Sequence, residues 1–282
     1  MQLGTDLGLG AVDLSKTYIR KDWISASHFH DLTASEVLGE VARRVAEVKA
    51  KATTEKSSHP LVLLDLDSTL YEVGHRTLHL LKEWAKSPAA ASFGSVRDAV
   101  AKLSIAQIGY SVRDTFVALG FEPESAAIKP AFESAKKAWS EGFFTDEFLK
   151  YDHVYAGAAA FTRKLHDLGA EIVYLTGRDE PNMAAGTREC LIRDGFPWDV
   201  PRTHLLMKRA FEDSDLQHKM DAANYIRAHG TLIASFENEP KNLVALHALF
   251  PDAMHVFVDT ICSDHDAAPG KGLYRISGFE GK

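Results

Sequence analysis

The sequence predicts an α/β protein with a Rossmann-like parallel sheet, helices on both faces, an inserted helical cap domain and an N-terminal helical extension. Short apolar runs without polar alternation recur along the chain, as expected of strands that are buried on both faces. Helical patterns separate these runs, which is typical of a parallel sheet. A long helical stretch interrupts the first connection between a strand and a helix, and this indicates an insertion.

The composition is that of a globular protein. The 282 residues are 45% hydrophobic and 25% charged, and the formal net charge is −7. This acidic balance disfavours nucleic acid as a partner, because phosphate backbones attract Lys and Arg. The two cysteines, Cys190 and Cys262, cannot form a disulfide framework, which favours a reducing compartment, and they lack zinc-type spacing. No apolar run reaches the roughly 18 residues that span a bilayer, and no secretory signal is recognisable. We therefore expect a cytoplasmic protein that does not act at a membrane.

Residues 1–59 are predicted to form the N-terminal helical extension. Within them, residues 33–52 begin with the capping-box pattern Thr33-Ala-Ser-Glu36. One face of this helix is apolar and carries Val37, Leu38, Val41, Val45 and Val48. We favour packing of that stripe on the main domain, which is its usual role. A partner or dimer surface is the alternative, so the oligomeric state stays open.

Residues 60–75 and 150–282 are predicted to form the α/β core. The predicted strands, in chain order, are 61–64, 172–175, 204–207, 232–236 and 256–258. The helical patterns between them cover 156–168, 182–194, 216–228 and 240–249. Strands that alternate with helices in this way build a doubly covered parallel sheet.

Residues 76–149 are predicted to form a separate helical cap. They contain four helical patterns and no clear strand. A connection from a strand to a helix normally takes only a few residues. A stretch of this length at that point is therefore interpreted as an inserted domain.

Polar residues follow three of the predicted strands. Asp65 follows the first, Thr176-Gly177-Arg178 closes the second in chain order, and Glu237 closes another. Ligands of open parallel sheets bind outside the carboxyl ends of the strands. We therefore expect these residues to meet in one crevice, although they lie far apart in the sequence.

Asp65-Leu-Asp-Ser-Thr-Leu70 places two carboxylates two residues apart just after a strand. Like charges at close range raise each other's pKa unless a cation or proton is shared. Mg²⁺ suits such a pair, because it takes carboxylate and carbonyl oxygens and keeps several waters. One carboxylate could attack phosphorus to form an aspartyl-phosphate. The other could protonate the leaving oxygen and later activate water.

The stretch from Asp65 to Leu70 resembles the DxDx(T/V) motif of the haloacid dehalogenase-like superfamily of phosphohydrolases. The superfamily's second motif, a Thr or Ser that closes a core strand, is matched by Tyr174-Leu-Thr-Gly-Arg178. Its third is a Lys upstream of the fourth strand, and its acidic fourth motif is matched by Phe236-Glu-Asn-Glu239. The insertion at 76–149 resembles the C1-type cap. DxD alone is a weak signal, but four motifs in order and in strand context are specific.

The resemblance implies a role for each motif residue. Asp65 would be the nucleophile and a Mg²⁺ ligand, and Asp67 would be the general acid/base, with its backbone carbonyl on the metal. Thr176 would hydrogen-bond the phosphoryl oxygens. Of the two neighbouring candidates for substrate binding, Gly177 could instead serve a tight turn, and Arg178 could instead pair with Asp179 or a core acid. A Lys would neutralise the nucleophile and the phosphoryl group.

Two positions of the pattern have alternatives. Lys219 at the start of a helix is favoured as the motif lysine, and Lys208 after the preceding strand is the other candidate. Asn238 stands where many family members have the Asp that ligates Mg²⁺ most directly. Its amide oxygen is a weaker ligand, so Glu237 or Glu239 could supply the charge. Alternatively, these glutamates could merely cap the next helix.

The function predicted on this basis is Mg²⁺-dependent hydrolysis of a small phosphorylated metabolite, a phosphomonoester, through an aspartyl-phosphate. Asp67 disfavours dehalogenation, which needs no protonated leaving oxygen. The alternative from another class is a catalytically weak binding module, which Asn238 and the N-terminal helix motivate. A phosphomutase and a phosphonatase are less favoured. The latter would need a Schiff-base lysine in the cap, where Lys82, Lys86, Lys102, Lys136 and Lys137 are available.

Overall fold

The structure is a computed structural model that describes residues 18–51, 59–264 and 267–280. Its centre is a seven-stranded sheet in the order β1-β9-β8-β7-β2-β5-β6, with every neighbouring pair parallel. A separate antiparallel pair is formed by β3 and β4. The strands are β1 (His28–Phe29), β2 (Pro60–Leu64), β3 (Tyr71–Glu72), β4 (His153–Val154), β5 (Glu171–Asp179), β6 (Thr203–Lys208), β7 (Thr231–Glu237), β8 (Met254–Val258) and β9 (Lys271–Ile276).

Helices cover both faces of the sheet, as predicted. The helices are α1 (Arg20–Ala26), α2 (Ala34–Lys51), α3 (Gly74–Lys86), α4 (Gly94–Ala101), α5 (Val112–Ala118), α6 (Lys129–Phe143), α7 (Ala158–Asp167), α8 (Glu180–Arg193), α9 (Asp215–His229) and α10 (Pro240–Leu249). Val62 and Leu64 of β2 pack with α2, α7 and α8, whereas Leu61 and Leu63 pack with α9 and α10. This division follows from the two-residue side-chain period of a strand.

The described part of the predicted N-terminal extension is integrated into the core. Helix α2 begins with the expected capping box, in which Thr33 and Glu36 exchange hydrogen bonds. Its apolar stripe packs on the sheet, which is the packing that we favoured. In addition, β1 pairs with β9 and becomes an edge strand. A boundary at residue 59 therefore does not separate this segment from the sheet, and residues 1–17 of the extension lie outside the described part.

We expect Val41→Asp to unfold or strongly destabilise the protein. Val41 is fully buried under the sheet, and an unpaired charge at such a position costs about 3 kcal/mol or more. Urea unfolding of this variant measures the loss. Gly39→Asp is the matched control, because Gly39 is exposed on the same helix and has open space around it. Equal stabilities of the two variants would contradict this packing of α2.

The inserted segment folds as helices α3 to α6 around its own apolar cluster. Trp84, Phe116 and Phe132 are among its buried members. Strands β3 and β4 lie at the two ends of the insertion and pair with each other, with Tyr71 opposite Val154. Both connections to the α/β core therefore run side by side. Among the described residues, no helix is long and apolar enough to cross a membrane.

Candidate active site

The candidate site lies at the carboxyl end of the central strand. Strand β2 lies between β7 and β5, with Leu64 opposite Phe236 on one side and Tyr174 on the other. Asp65 follows Leu64 directly, and Glu237 is the next residue after Phe236. The strand order and register therefore bring the first and fourth motifs together, as the sequence predicts.

Lys219 joins these two motifs. Its Nζ donates to Asp65 Oδ1 at 2.7 Å and to Glu237 Oε2 in a second, short contact. All three residues are buried. Helix α9 supplies the lysine. Ser214 caps the start of this helix, and Lys219 lies on its buried face in the following turn. The contact places the favoured candidate lysine at the predicted nucleophile.

Lys208, the other candidate, bonds to residues of the loop before α9 and to Asp215. Its Nζ donates to the backbone carbonyls of Phe211 and Asp213, both at 3.0 Å. It also pairs with Asp215 at 2.9 Å. These contacts fix the loop before α9.

Burial and charge shift the pKa values of this buried triad. Burial raises the pKa of Asp65 to about 7, and the charge of Glu237 adds to this effect while Lys219 opposes it. Burial also raises the pKa of Glu237. Burial acts to lower the pKa of Lys219, but the two carboxylates outweigh it and the pKa is raised. One ammonium therefore faces two carboxylates. When both carboxylates are ionised, the triad has a net negative charge that a further cation could balance.

The half-buried Asp67 belongs to a second network, with two buried arginines. Arg178 donates from Nε to Asp67 Oδ1 at 3.0 Å, and Arg76 reaches the same oxygen at 3.2 Å. Asp152 binds both guanidinium groups, at 2.9 Å from Arg178 and 2.8 Å from Arg76. Arg76 also lies over the ring of Phe143, 4.1 Å from its centroid.

These contacts hold the Asp67 carboxylate in its ionised form. Burial acts to raise the pKa of Asp67, but the positive charges of Arg178 and Arg76 outweigh it and lower the pKa. Burial raises the pKa of Asp152 despite the same two arginines. Asp67 is thus ionised and available to accept a proton, although the arginines weaken its affinity for one. It can donate a proton only when these contacts weaken enough for it to be protonated.

Arg178 therefore pairs with core acids, one of the alternatives considered for it. Its predicted contact with substrate would have to form in addition to these bonds. The pairing with Asp179 is not formed, since Asp179 instead caps α8 by accepting from the backbone N–H of Asn182 at 3.1 Å.

Thr176 and Gly177 lie on β5 beside the first motif. Thr176 is fully buried, and its hydroxyl accepts a hydrogen bond from the backbone N–H of Arg178 at 3.2 Å. Gly177 lines the cleft. A Cβ at this position would come within 2.8 Å of the Asp215 carboxylate. Gly177 is therefore explained by close approach rather than by a tight turn.

The oxygen donors of the site fit a hard cation only in part. Both Glu237 oxygens are already bonded, one to Lys219 and one to the backbone N–H of Glu239. Asn238 Oδ1 accepts from the Thr69 hydroxyl at 3.2 Å, while its Nδ2 donates to the carbonyl of Ile261. In the described part of the chain, no three His, Cys, Asp or Glu side chains form a group that could hold a metal.

Oxygen donors nevertheless remain near the nucleophile. Asp65 is bonded to Lys219 through Oδ1, which leaves its second oxygen for a cation. Asn238 Oδ1 accepts one hydrogen bond, from Thr69, and an amide oxygen has a second lone pair. The two networks join four carboxylates and three cations: the buried Asp65, Asp152 and Glu237 and the half-buried Asp67, with Lys219, Arg76 and Arg178. One carboxylate is in excess. A Mg²⁺ ion that keeps several waters fits this charge and these few protein ligands.

The site opens into a cleft of about 670 Å³ between the helical insertion and the core. The wall contributed by the insertion includes Ile105, Ile108, Tyr110, Trp139 and Phe143. The Tyr110 hydroxyl contacts Glu239 and Ser263 of the core. The insertion thus forms one wall of the cleft that contains the candidate nucleophile.

Arg76 and Asp152 were missed by the sequence analysis. They flank the insertion and lie 76 positions apart. Arg76 is fully buried at the start of α3. The sequence did contain a signal for Arg76, since it is a charged residue on the apolar face of an amphipathic helix. Such a residue needs a buried partner of opposite charge. The sequence contains no pattern that identifies Asp152 as that partner.

Comparison with known proteins identifies a family. The family model of haloacid dehalogenase-like hydrolases matches residues 59–205, which is more than half of the chain. No curated protein matches the chain.

Several solved structures are similar to the chain at low sequence identity. Protein tyrosine kinase A from Mycobacterium tuberculosis is 14% identical, with a TM-score of 0.47 over 78% of this chain and 95% of that one. A putative phosphatase from Clostridium difficile is also 14% identical, with a TM-score of 0.45 over 77% and 94%. A putative β-phosphoglucomutase from Thermotoga maritima is 11% identical, with a TM-score of 0.44 over 76% and 94%. Likeness at this level does not extend to function.

Proposed function

Because the chain belongs to the haloacid dehalogenase-like hydrolase family, we propose that it is a Mg²⁺-dependent phosphatase that hydrolyses a phosphomonoester through an aspartyl-phosphate. The observation that carries this proposal is the buried contact between Lys219 and Asp65, 2.7 Å long, at the end of the central strand. A cation beside a carboxylate stabilises both the nucleophile and the charge on a transferring phosphoryl group.

In the first step, an Asp65 oxygen attacks phosphorus, and the bond from phosphorus to the substrate oxygen breaks. The electron pair leaves with that oxygen. Lys219 stays protonated throughout, since its two carboxylate partners raise its pKa. Thr176 lies beside the site and is proposed to hydrogen-bond a phosphoryl oxygen. A bound Mg²⁺ would be held by Asp65, the Asp67 carbonyl and Asn238, and would offset phosphoryl charge.

In the second step, water attacks the phosphorus of the aspartyl-phosphate and Asp67 takes its proton. Inorganic phosphate is released, the Asp65 carboxylate is regenerated, and Asp67 passes the proton on to the departed alkoxide or to solvent. The ionised Asp67, held by Arg178 and Arg76, supports this base role. Protonation of the leaving oxygen by Asp67 in the first step works against the same arginines. Esters with good leaving groups should therefore react fastest.

The first test of this proposal is hydrolysis of p-nitrophenyl phosphate with Mg²⁺ and with EDTA. We expect turnover with Mg²⁺ that EDTA abolishes and added Mg²⁺ restores. Equal rates in both conditions would contradict the metal requirement. A protein that binds phosphate with Mg²⁺ but turns over no ester would instead support the binding module.

Asn238→Asp should tighten Mg²⁺ binding. The change replaces a neutral oxygen donor by a charged one, and ligand charge tunes the affinity of hard cations. We expect the Mg²⁺ concentration for half-maximal turnover to fall by about tenfold. Asn224→Asp makes the same change at an exposed position of α9 and should leave that concentration unchanged. Equal behaviour of the two variants would remove Asn238 from the proposed ligand set.

The phosphonatase alternative loses support from the cleft. It requires a lysine of the cap at the reacting carbon, where the amine would form a Schiff base. None of the five cap lysines is among the described residues that line the cleft. A phosphomutase stays less favoured, because it must retain its substrate for a second transfer.

A further inference from the structure

The cleft above Asp65 has little positive charge to offer a substrate. Of the described residues that line it, Arg178 is the only Lys, Arg or His. Its guanidinium is already engaged by Asp67, Asp152 and the Thr187 hydroxyl. A second anionic group on the substrate would therefore find no uncommitted cation there.

The same cleft carries carboxylates beyond the proposed catalytic groups. Glu72, Asp215 and Asp259 also line it. Lys208 pairs with Asp215, Arg20 and Arg275 both pair with Asp259, and His75 contacts Glu72. These basic groups lie outside the lining residues and are committed to the carboxylates of the wall, so they leave no free positive charge for a negative ligand group.

The wall contributed by the insertion is mostly apolar, and its few polar side chains are hydrogen-bonded to other protein groups. Ile105, Ile108, Trp139, Phe143 and Phe144 supply most of its side chains. The Trp139 indole N–H donates to the Thr77 hydroxyl at 3.1 Å, and the Ser111 hydroxyl is bonded to Asp114. The three aromatic rings contact one another, with centroids 4.6 to 5.6 Å apart. Such a wall binds apolar or aromatic faces and leaves hydrogen-bonding groups unsatisfied.

We propose that the substrate is a phosphomonoester whose alcohol part presents an apolar or aromatic face and carries no second anionic group. This inference rests on the proposed phosphatase function and specifies its substrate class. Bisphosphates and phosphorylated carboxylic acids are disfavoured, because a buried charge without a partner is costly. Specificity of this kind arises from rejection as much as from attraction.

The test uses two non-hydrolysable ligands that differ by one remote charge. Benzylphosphonate and 4-carboxybenzylphosphonate are titrated into the full-length protein by calorimetry, with Mg²⁺ present. We expect benzylphosphonate to bind roughly tenfold more tightly or better, since the remote carboxylate of the other ligand must be desolvated without a free cation to pair with. Equal affinity, tighter binding of the carboxylated ligand, or binding of neither ligand would overturn the inference.

A charge placed in the wall should change this preference. Ile105 is half-buried and lines the cleft, so Ile105→Arg supplies the missing cation and should bring the two affinities within about threefold or reverse their order. Val117→Arg is the matched control, because Val117 is an exposed residue of the same insertion outside the cleft lining. An unchanged preference in Ile105→Arg would count against this wall as the selecting surface.

Hydrolysis of benzyl phosphate separates the two proposals. Preferred binding of benzylphosphonate without hydrolysis of benzyl phosphate or p-nitrophenyl phosphate would overturn the phosphatase function alone. Hydrolysis with a preference for the carboxylated ester would overturn the substrate class alone.

Discussion

Asp65→Asn should abolish hydrolysis of p-nitrophenyl phosphate. The substitution keeps the size of the side chain but removes the negative oxygen that attacks phosphorus. Loss of a nucleophile lowers kcat by on the order of 10³-fold or more, because the other groups of the site cannot replace it. Steady-state kinetics with saturating Mg²⁺ measures the effect.

Two controls make this loss interpretable. Asp167→Asn carries the same change on a side chain that is 82% exposed, and should keep the wild-type rate. Circular dichroism and thermal unfolding of Asp65→Asn should show a folded protein, since Asn can still accept a hydrogen bond from Lys219. Full turnover in a folded Asp65→Asn variant would refute the assignment of the nucleophile.

Lys219→Met should cost both activity and stability. The lysine is the cation that faces Asp65 and Glu237 in the buried site. Removing one partner from a buried ion pair typically costs about 3 to 5 kcal/mol, because the remaining charge is left uncompensated. We expect a decrease of this size in the free energy of unfolding, measured with urea in metal-free buffer, together with loss of turnover.

The loss in Lys219→Met should be smaller at acidic pH. The pKa of Asp65 is raised above its ordinary value to about 7 already in the wild type. The folded protein therefore holds a proton that the unfolded chain releases, and Asp65 lowers stability as pH rises through this window. Without the Lys219 ammonium, ionisation of Asp65 destabilises the fold more strongly. The stability lost in Lys219→Met should therefore be larger at pH 8 than at pH 5.5.

A second substitution tests the origin of the loss. Lys219→Met combined with Glu237→Gln removes one of the two stranded charges and should recover part of the stability. Lys137→Met is the surface control, because Lys137 is 73% exposed and pairs only with Glu141 on the same helix. Its effect should lie within about 0.5 kcal/mol. A Lys219→Met loss as small as that of the control would contradict the buried triad.

The sequence predicted the five strands that contain an apolar run, including the half-buried β6, and missed β1, β3, β4 and β9, which contain none. Strand β2 reads as an uninterrupted buried run, and all its residues are buried. Strand β9 contains Lys271, Gly272 and Arg275 and is partly exposed at the side of the sheet, so it lacks that pattern. Strand β1 has only two residues, which is too short for any periodicity. Its pairing depends on tertiary contact with β9.

The candidate site shows the same division. Asp65 and Glu237 could be placed together because Asp65 follows β2 and Glu237 ends β7, its neighbour in the sheet. Thr176 was expected to close its strand, but β5 continues to Asp179 and Thr176 is buried within it. The partners of Asp67 could not be derived in this way. Arg76 comes from the insertion, and its position depends on how that insertion packs on the core, for which no local pattern exists.

The most direct test of the central claim is detection of the phosphorylated intermediate. The protein is mixed with a phosphomonoester that it turns over, quenched in acid, digested and examined by peptide mass spectrometry. The account predicts the added mass of one phosphoryl group on Asp65, lost on treatment with hydroxylamine and absent in Asp65→Asn. Rapid turnover with phosphate on another residue would contradict it.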